Sequence, residues 1–358
     1  MTQPLLLNKA TKHLQNQLPF VLYNKPNARH LIGIFQRDAT LNFVQDFKET
    51  GFILAPFDGK DIVLIPENKS EIVVVKFIRN KSPETGILSI PTPDNTAKKN
   101  YEMLVQKGID AIDNNQFHKV VLSRKELVEL PDYDAIAVFQ RLLNQYPTAF
   151  TYCFFHPETG LWLGAFAEQL LKMKGNSFKT MAVAGTQLFD ENQAAVWGTK
   201  EKEEQHFVTN FIREKLEGQT SDVTLSEPYN LQAGKLLHIK TDISGTVNSN
   251  SGLREIIQIL HPTPAICGLP KETAKDFIAN NEGYDREYYS GYFGELNIDF
   301  SNNTSATDLY VNLRCMKLSR QEASLYIGAG ITKDSVPEKE WLETVGKAQT
   351  MRSILDIK

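Results

Sequence analysis

Cysteine is scarce in this chain of 358 residues, where it occurs only as Cys153, Cys267 and Cys315. These positions lie far apart and include no Cys-x-x-Cys pair, which argues against a metal site built on thiolates. A small, odd number of cysteines is also more typical of a reducing compartment than of secretion. The cysteine content therefore predicts a cytoplasmic protein.

Long apolar runs and an excess of positive charge are also absent from the sequence. No uninterrupted apolar stretch approaches the roughly 20 residues that span a bilayer, and the leucine run at residues 5–7 is too short for a signal-peptide core. The net charge of −4 argues against a broad nucleic-acid surface, which needs clustered Lys and Arg. We expect neither a membrane nor a nucleic acid as partner.

Glycine patterns for nucleotide binding are missing as well, because the spacings of the P-loop and of the Rossmann turn do not occur. Candidate strands bunch together, and candidate helices are inserted between the groups. This pattern predicts an α+β fold with a large, mostly antiparallel sheet system rather than regular βαβ alternation. Two long helices are predicted at about residues 199–216 and 337–354, and residues 308–318 are predicted to form one strand.

Two Glu-x-x-Glu pairs are the most informative polar features. At about 100° per residue around a helix axis, Glu201 and Glu204 point into the same sector as the apolar stripe that follows them. That stripe consists of Val208, Phe211, Ile212 and Leu216, and the opposite face carries Lys202, Glu203, His206 and Asn210. A helix that only needed to be soluble would place its acidic residues outside.

The second pair repeats this arrangement, since Glu340 and Glu343 share the core-facing side of a predicted helix with Lys347. Four inward carboxylates would repel one another and would be costly to desolvate. A divalent cation removes this difficulty, and oxygen-only ligands favour Mg²⁺ over Zn²⁺. Each pair alone has a simpler explanation, because acids are favoured in a first helical turn and Glu343 with Lys347 is an ordinary i,i+4 pair. The shared spacing and facing of the two pairs favour a metal site.

Further charged or proton-carrying groups stand in strand-like segments. Lys119 adjoins aliphatic residues, where desolvation favours the neutral amine of a general base; the alternative is an edge-strand lysine that prevents aggregation. Glu168 follows a corner of small residues, where burial suits a general acid; the alternative is a solvated strand residue. Arg314 is suited to bidentate binding of a carboxylate. His238 fits either a proton relay or a histidine satisfied within the core.

Small residues in two strand segments complete the candidate site. One segment comprises Ala184, Gly185 and Thr186, and the other is Gly-Ala-Gly at residues 328–330. Glycines in a strand let backbone N–H groups come close to an anionic ligand. Together with the metal, the arginine and the lysine, these segments describe a site for a small acid.

Seven motifs follow one another in the order that one enzyme family shows. They are FHKVVLSR, AGT, KEKEEQ, LHPTPAICGLP, YSGYFG, VNLR and IGAGITKDSVPEKEWLETVGKA. The sequence resembles the chorismate-utilising enzymes, which include isochorismate, salicylate, anthranilate and aminodeoxychorismate synthases. The resemblance assigns residues 95–358 to a chorismate-binding catalytic region and leaves residues 1–94 as a divergent N-terminal part of the same domain.

The resemblance implies one large domain, in which helices wrap a layered β-core and the active site lies in its cleft. It implies Mg²⁺ between the two Glu pairs, with Glu204 and Glu343 as the nearest ligands and Glu201 and Glu340 in support. The ring carboxylate of chorismate would lie on the metal beside the backbone of residues 184–186. The pyruvyl carboxylate would be held by Tyr289, Arg314 and the Gly328 amide, with Lys347 nearby.

Within the family, the nucleophile separates the members. Enzymes that use water are similar to this chain in having Lys at position 119, where anthranilate synthases tend to have Gln. Bacterial aminodeoxychorismate synthases carry a nucleophilic Lys where this chain has Ala184. Salicylate synthases, which go on to eliminate pyruvate, carry Thr where this chain has Ala265. The resemblance therefore implies conversion of chorismate to isochorismate by water, with no obligate glutaminase subunit.

The same resemblance implies roles in proton transfer. Lys119 would take a proton from the water that attacks C2, Glu168 would protonate the departing C4 hydroxyl, and His238 would lie close to the reacting ring. The sequence departs from the family at Gln205, where His is usual, and at residues 166–167, where Phe-Ala replaces Ser-Pro. The alternatives are a salicylate synthase, a component of an anthranilate or aminodeoxychorismate synthase, and a relative that binds chorismate without converting it.

Overall fold

The computed structural model describes residues 1–79, 94–189, 195–233, 236–249 and 251–355. Two prolines and an Asp-Asn-Thr cluster predict a connection and a helix start at residues 89–100, and of this segment residues 89–93 lie outside the described parts. The side chain of Thr186 also lies outside them. The helices are α1 (Gln3–Gln15), α2 (Asn95–Asp113), α3 (Ala135–Gln145), α4 (Thr199–Leu216), α5 (Leu253–Leu260), α6 (Lys271–Asn281) and α7 (Pro337–Arg352). None of the helices in these ranges combines the length and the apolar character needed to cross a membrane.

The strands are short, and most have fewer than ten residues. They are β1 (Phe20–Asn24), β2 (His30–Gln36), β3 (Asn42–Phe43), β4 (Gly51–Ala55), β5 (Val63–Pro66), β6 (Ser70–Lys76), β7 (Lys119–Glu129), β8 (Phe150–His156), β9 (Gly160–Phe166), β10 (Gln169–Lys174), β11 (Ser177–Leu188), β12 (Thr220–Leu225), β13 (Tyr229–Ala233), β14 (Leu236–Val247), β15 (Gly268–Leu269), β16 (Tyr292–Leu296), β17 (Thr307–Val311), β18 (Cys315–Leu318) and β19 (Glu322–Ile331).

Two large sheets form the framework. The first sheet has nine strands in the order β15-β7-β19-β18-β9-β8-β1-β2-β6. The second has ten strands in the order β12-β14-β11-β10-β17-β16-β4-β5-β3, and β13 also pairs with β14. Neighbouring strands run antiparallel, as β7 does with β19 and β11 with β14. The predicted α+β fold with mostly antiparallel sheets is confirmed.

Aromatic side chains fill the layer between the two sheets. The rings of Tyr23 and Phe150 in the first sheet stack at 5.3 Å, and Phe150 packs edge-on against Phe293 of the second sheet at 5.1 Å. Each buried aromatic side chain removes about 150–250 Å² from water. Helices cover the outer faces: α1 and α3 lie on the first sheet, α4 and α5 on the second, and α2, α6 and α7 around β7 and β19. The core is therefore layered and wrapped by helices, as predicted.

Residues 308–318 are not one strand, as the sequence predicted, but two strands in different sheets. β17 belongs to the second sheet and β18 to the first. Arg314 lies in the corner between them with a φ of 47°. Asn312 fixes this corner, because its side-chain amide donates to the carbonyl of Tyr288 and its backbone N–H to the carbonyl of Gly291. The alternation of apolar and polar residues that is typical of a strand continues through the corner at residues 311–315, so periodicity alone did not reveal it.

The N-terminal residues contribute strands to both sheets. β1, β2 and β6 lie in the first sheet, and β3, β4 and β5 lie in the second. Helix α1, which the sequence analysis did not predict, buries Leu6, Leu7 and Ala10 against the first sheet. These contacts place the motif-free part of the sequence in the same layers as the rest.

Candidate active site

A cavity of about 210 Å³ lies among β7 and β19 of the first sheet, β11 and β14 of the second, and helices α4 and α7. The residues that the sequence predicted for the site line this cavity, apart from Ala329, which is buried in the core, and Thr186, whose side chain is not described. These residues are Lys119, Glu168, Ala184, Gly185, Glu201, Glu204, His238, Ala265, Tyr289, Arg314, Gly328, Glu340, Glu343 and Lys347. The fold thus brings widely separated parts of the sequence to one place.

Lys119 begins β7 and is not on a sheet edge, because β15 flanks β7 on one side and β19 on the other. Its side chain is largely buried, and its Nζ lies 2.5 Å from Oε1 of Glu204 on α4. Gly330 on β19 leaves room for this pair, since a Cβ there would lie 3.1 Å from Cε of Lys119. The aggregation-blocking explanation for Lys119 therefore does not hold.

Glu168 lies between β9 and β10 and is only 8% exposed. Burial raises the pKa of Glu168 to about 7, although the charge of Lys119 acts to lower it. A carboxyl with this pKa keeps its proton in a large fraction of molecules near neutral pH, which a general acid requires. Because Glu168 is buried, the alternative explanation that it is a solvated strand residue does not hold.

His238 on β14 contacts the glycine segment of β11. Its Nδ1 lies 2.9 Å from the carbonyl oxygen of Gly185, so Nδ1 carries the hydrogen and donates it. Burial lowers the pKa of His238 to about 4, and the charges of Arg314 and Lys347 act in the same direction. The imidazole is therefore neutral at pH 7 and fixes the backbone of Gly185.

The first Glu pair faces the cavity from α4. Glu201 and Glu204 are partly buried, whereas Lys202 and Glu203 between them are exposed. Gly185, with a φ of 69°, leaves space for this helix, because a Cβ at that position would lie 3.1 Å from Cβ of Glu201. The close approach of α4 thus explains why β11 has small residues at this point.

The second Glu pair faces the cavity from α7. Glu340 is 7% exposed, and Glu343 lies 2.5 Å from Nζ of Lys347. Burial disfavours the ionised form of Glu343, but the charges of Lys347 and Arg314 outweigh it and hold the pKa of Glu343 below its ordinary value. The i,i+4 pair expected from the sequence is therefore present, and Glu343 is ionised at neutral pH.

The four glutamates offer only oxygen donors, which is the chemistry that Mg²⁺ prefers. Among the residues that the structure describes, no group of three or more His, Cys, Asp or Glu side chains has the spacing of a metal site. The four glutamates therefore suit a hard divalent cation in the chemistry of their donors and in lining one cavity, although their side chains do not converge on one point in this structure.

Arg314 and Tyr289 supply groups that suit a carboxylate. Arg314 lines the cavity, and its guanidinium interacts electrostatically with Tyr289 and Glu343. Burial raises the pKa of Tyr289 to about 12, so its hydroxyl stays protonated and can donate. A Cβ at Gly328 would lie 2.7 Å from this hydroxyl oxygen, and the carbonyl of Gly328 accepts a 3.0 Å hydrogen bond from Lys347.

Several residues that line the cavity were not predicted from the sequence. They are Val121, Val183, Leu231, Ile266, Leu313, Tyr326, Ile327 and Thr332. Tyr326 stacks on Tyr289 with 5.7 Å between ring centroids. Strand alternation puts residues i, i+2 and i+4 on one face, so Tyr326 was detectable as the residue two positions before Gly328.

Comparison with known proteins identifies the family of this chain. A family model described as chorismate binding enzyme matches residues 63–356. The isochorismate synthase EntC of Escherichia coli (strain K12) is 29% identical over 269 residues, which are 72% of this chain and 67% of EntC. The isochorismate synthase MenF of the same strain is 31% identical over 276 residues, 74% of this chain and 61% of MenF.

The fold has a close counterpart among solved structures. The crystal structure of DhbC from Bacillus anthracis matches with a TM-score of 0.79 at 21% identity, covering 98% of this chain and 100% of that chain. The family match covers most of the chain and includes the cavity residues on both sheets and on α4 and α7. The chain belongs to the family of chorismate binding enzymes.

Proposed function

We propose that this protein is an isochorismate synthase, an isomerase that adds water at C2 of chorismate and releases the C4 hydroxyl. The observation that carries the proposal is the presence of Lys119 and Glu168 in one cavity, with the pKa of Glu168 raised to about 7 by burial. An amine and a protonated carboxyl are the base and the acid that this exchange needs. Two relatives named above are isochorismate synthases, which supports the same reaction.

The proposed reaction balances as an exchange of one water for another. In the proposed step Lys119 acts after it has given up its own proton, and its amine takes a proton from a water molecule, whose oxygen bonds to C2. The ring double bonds shift, the C4–O bond breaks, and Glu168 gives its proton to the leaving oxygen, which departs as water. The proton gained by Lys119 and the proton lost by Glu168 leave the total unchanged.

The other polar groups of the cavity would bind the substrate and the metal. The Arg314 guanidinium and the Tyr289 hydroxyl would bind the pyruvyl carboxylate, with Lys347 adding positive charge beside the Gly328 carbonyl. Glu204 and Glu343, with Glu201 and Glu340 in support, would hold Mg²⁺. When bound, this ion supplies Lewis-acid charge stabilisation and a template for the ring carboxylate.

Two alanines in the cavity wall support water as nucleophile and isochorismate as product. Ala184 offers no amine that could attack the ring, and Ala265 offers no hydroxyl. By the family comparison, the first disfavours an aminodeoxychorismate synthase and the second disfavours a salicylate synthase. The proposal includes independence from a glutaminase subunit, because no ammonia is required.

Product analysis tests the proposal. Purified protein is incubated with chorismate and Mg²⁺, with and without ammonium, and the products are separated by chromatography. Isochorismate in both reactions is the expected result. Anthranilate or aminodeoxychorismate would show the wrong nucleophile, and salicylate with pyruvate would show a salicylate synthase. Binding of chorismate without any product would show a non-catalytic relative.

A further inference from the structure

A buried ion pair contacts the wall of the cavity from outside. Arg286 donates from Nε to Oε2 of Glu282 at 2.8 Å and from Nη2 to Oε1 at 2.5 Å. The two side chains are 2% and 1% exposed. Because desolvation of two buried charges often cancels their attraction, the burial of this pair is weak evidence that it stabilises the fold. The contacts of the pair with the rest of the protein indicate its role better than its burial does.

The guanidinium of Arg286 joins two segments of the cavity wall. Its Nη2 donates to the carbonyl of Val121 at 2.7 Å, and its Nη1 donates to the carbonyl of Ile266 at 3.2 Å. Val121 lies two residues after Lys119 on β7, and Ile266 follows Ala265 in the loop before β15. One planar group thus fixes the strand of the proposed base against the loop that carries Ala265.

The partner carboxylate and the aromatic neighbours extend this connection. Oε1 of Glu282 accepts hydrogen bonds from the backbone N–H of Ser123 at 2.7 Å and from its hydroxyl at 2.9 Å. The guanidinium also lies over the rings of Phe57 at 4.5 Å and Tyr289 at 5.8 Å. The pair therefore contacts β7 at a second point and packs against the ring whose hydroxyl faces Gly328.

The loop and β7 also meet directly at β15. Leu269 pairs with Lys119 in the sheet. A Cβ at Gly268 would lie 2.2 Å from the carbonyl oxygen of Lys119, so only glycine permits this approach. The backbone of Lys119 is consequently held by β15. Arg286 joins the same two segments nearby, through the carbonyls of Val121 and Ile266.

We infer that Arg286, held by Glu282, is a positioning residue that sets Lys119 relative to the Ala265 loop and to Tyr289. It acts through the carbonyls of β7 and the loop, and it is not among the residues that line the cavity. The inference rests on the proposed isochorismate synthase activity. Arg286 and Glu282 would align Lys119 with the ring of chorismate without contacting the substrate themselves.

The test compares Arg286→Lys with a matched control, Lys25→Met. Arg286→Lys keeps the charge but loses the planar fork that reaches two carbonyls and Glu282 together. Small displacements of catalytic groups cost up to about 100-fold in rate, so we expect kcat to fall about 10- to 100-fold. Lys25 forms an ion pair with the buried Glu295 and is not among the cavity residues. Lys25→Met is expected to lower the melting temperature and to leave kcat within about twofold.

Additional readouts separate positioning from stability. In Arg286→Ala, added guanidinium ion is expected to raise kcat, whereas it should not raise the kcat of Lys25→Met. If Arg286→Lys is not recovered folded, Ser123→Ala, which removes one hydrogen bond to Glu282, is expected to lower kcat by a smaller factor. Wild-type kcat in the folded variants, or an equal loss in Lys25→Met, would overturn the inference. Wild-type protein that makes no isochorismate would instead overturn the proposed function.

Discussion

Nζ of Lys119 and Oε1 of Glu204 lie 2.5 Å apart, so the proposed general base touches a proposed ligand of the metal. The charge of Lys119 also acts on Glu168, whose pKa it lowers against the larger effect of burial. The residues proposed as base, acid and metal ligand therefore form one electrostatic unit. Substitutions at groups in contact are not additive, so single changes are the ones whose effects can be assigned to one residue.

Replacing the proposed base should affect turnover more than binding. General acid–base groups typically contribute about 10²- to 10⁴-fold, so Lys119→Ala is expected to lose that factor in kcat. Chorismate should still bind, because the lost interaction operates in the transition state. Steady-state kinetics with chorismate and, in reverse, with isochorismate measures both directions. Near-normal turnover in either direction would contradict the assignment.

The pH dependence should report Glu168. Because burial raises the pKa of Glu168 to about 7, its proton is present below this pH and lost above it. The value of kcat/KM, which reports the free enzyme, is therefore expected to fall as pH rises through about 7. Glu168→Gln should be slow and should lack this limb of the profile. If kcat/KM of Glu168→Gln still falls as pH rises through about 7, as in the wild type, the titration belongs to another group.

We expect metal dependence because four carboxylates line the cavity. Excess chelator is expected to abolish turnover, and Mg²⁺ is expected to restore it. Even groups that only support metal ligands typically contribute about 10- to 100-fold to affinity, so Glu204→Gln and Glu343→Gln should each weaken Mg²⁺ binding by at least about tenfold in calorimetry. The exposed neighbour Glu203 provides the control. Full activity in chelator, or an equal effect from Glu203→Gln, would refute the site.

Carboxylate binding should depend on Arg314. Hydrogen bonds to charged groups contribute about 1.5–3 kcal/mol, and about 1.4 kcal/mol corresponds to a factor of ten. Arg314→Ala is therefore expected to raise the KM for chorismate about 10- to 100-fold. The exposed Arg320 serves as the control, and Arg320→Ala should leave KM unchanged. A KM at the wild-type level in Arg314→Ala would remove this residue from the binding site.

The Glu pairs could be located from the sequence because helical periodicity fixes the direction of a side chain. On α4 the apolar stripe defines the inner face, and Glu201 and Glu204 lie on it. Strand alternation likewise relates Tyr326 to Gly328. In these cases the local sequence pattern determines which way a side chain points. The tertiary structure determines only which residues it meets.

Other features depend on contacts between distant segments and could not be predicted in this way. Arg286 and Glu282 stand in a segment of mixed charge, which is typical of solvated surface, and their burial results from packing against Phe57 and β7. The corner at Arg314 lies within an uninterrupted strand-like alternation and becomes visible only when β17 and β18 are assigned to different sheets. The pKa of Glu168 similarly depends on burial by the assembled fold.

The origin of the new hydroxyl oxygen tests the central claim most directly. Purified protein, chorismate and Mg²⁺ are allowed to react briefly in water enriched in ¹⁸O, and the product is analysed by mass spectrometry before the reverse reaction contributes. Addition of water activated by Lys119 predicts isochorismate with one ¹⁸O at C2, formed rapidly by the wild type and about 10²- to 10⁴-fold more slowly by Lys119→Ala. Unlabelled isochorismate, or an aminated or aromatic main product, would contradict the account.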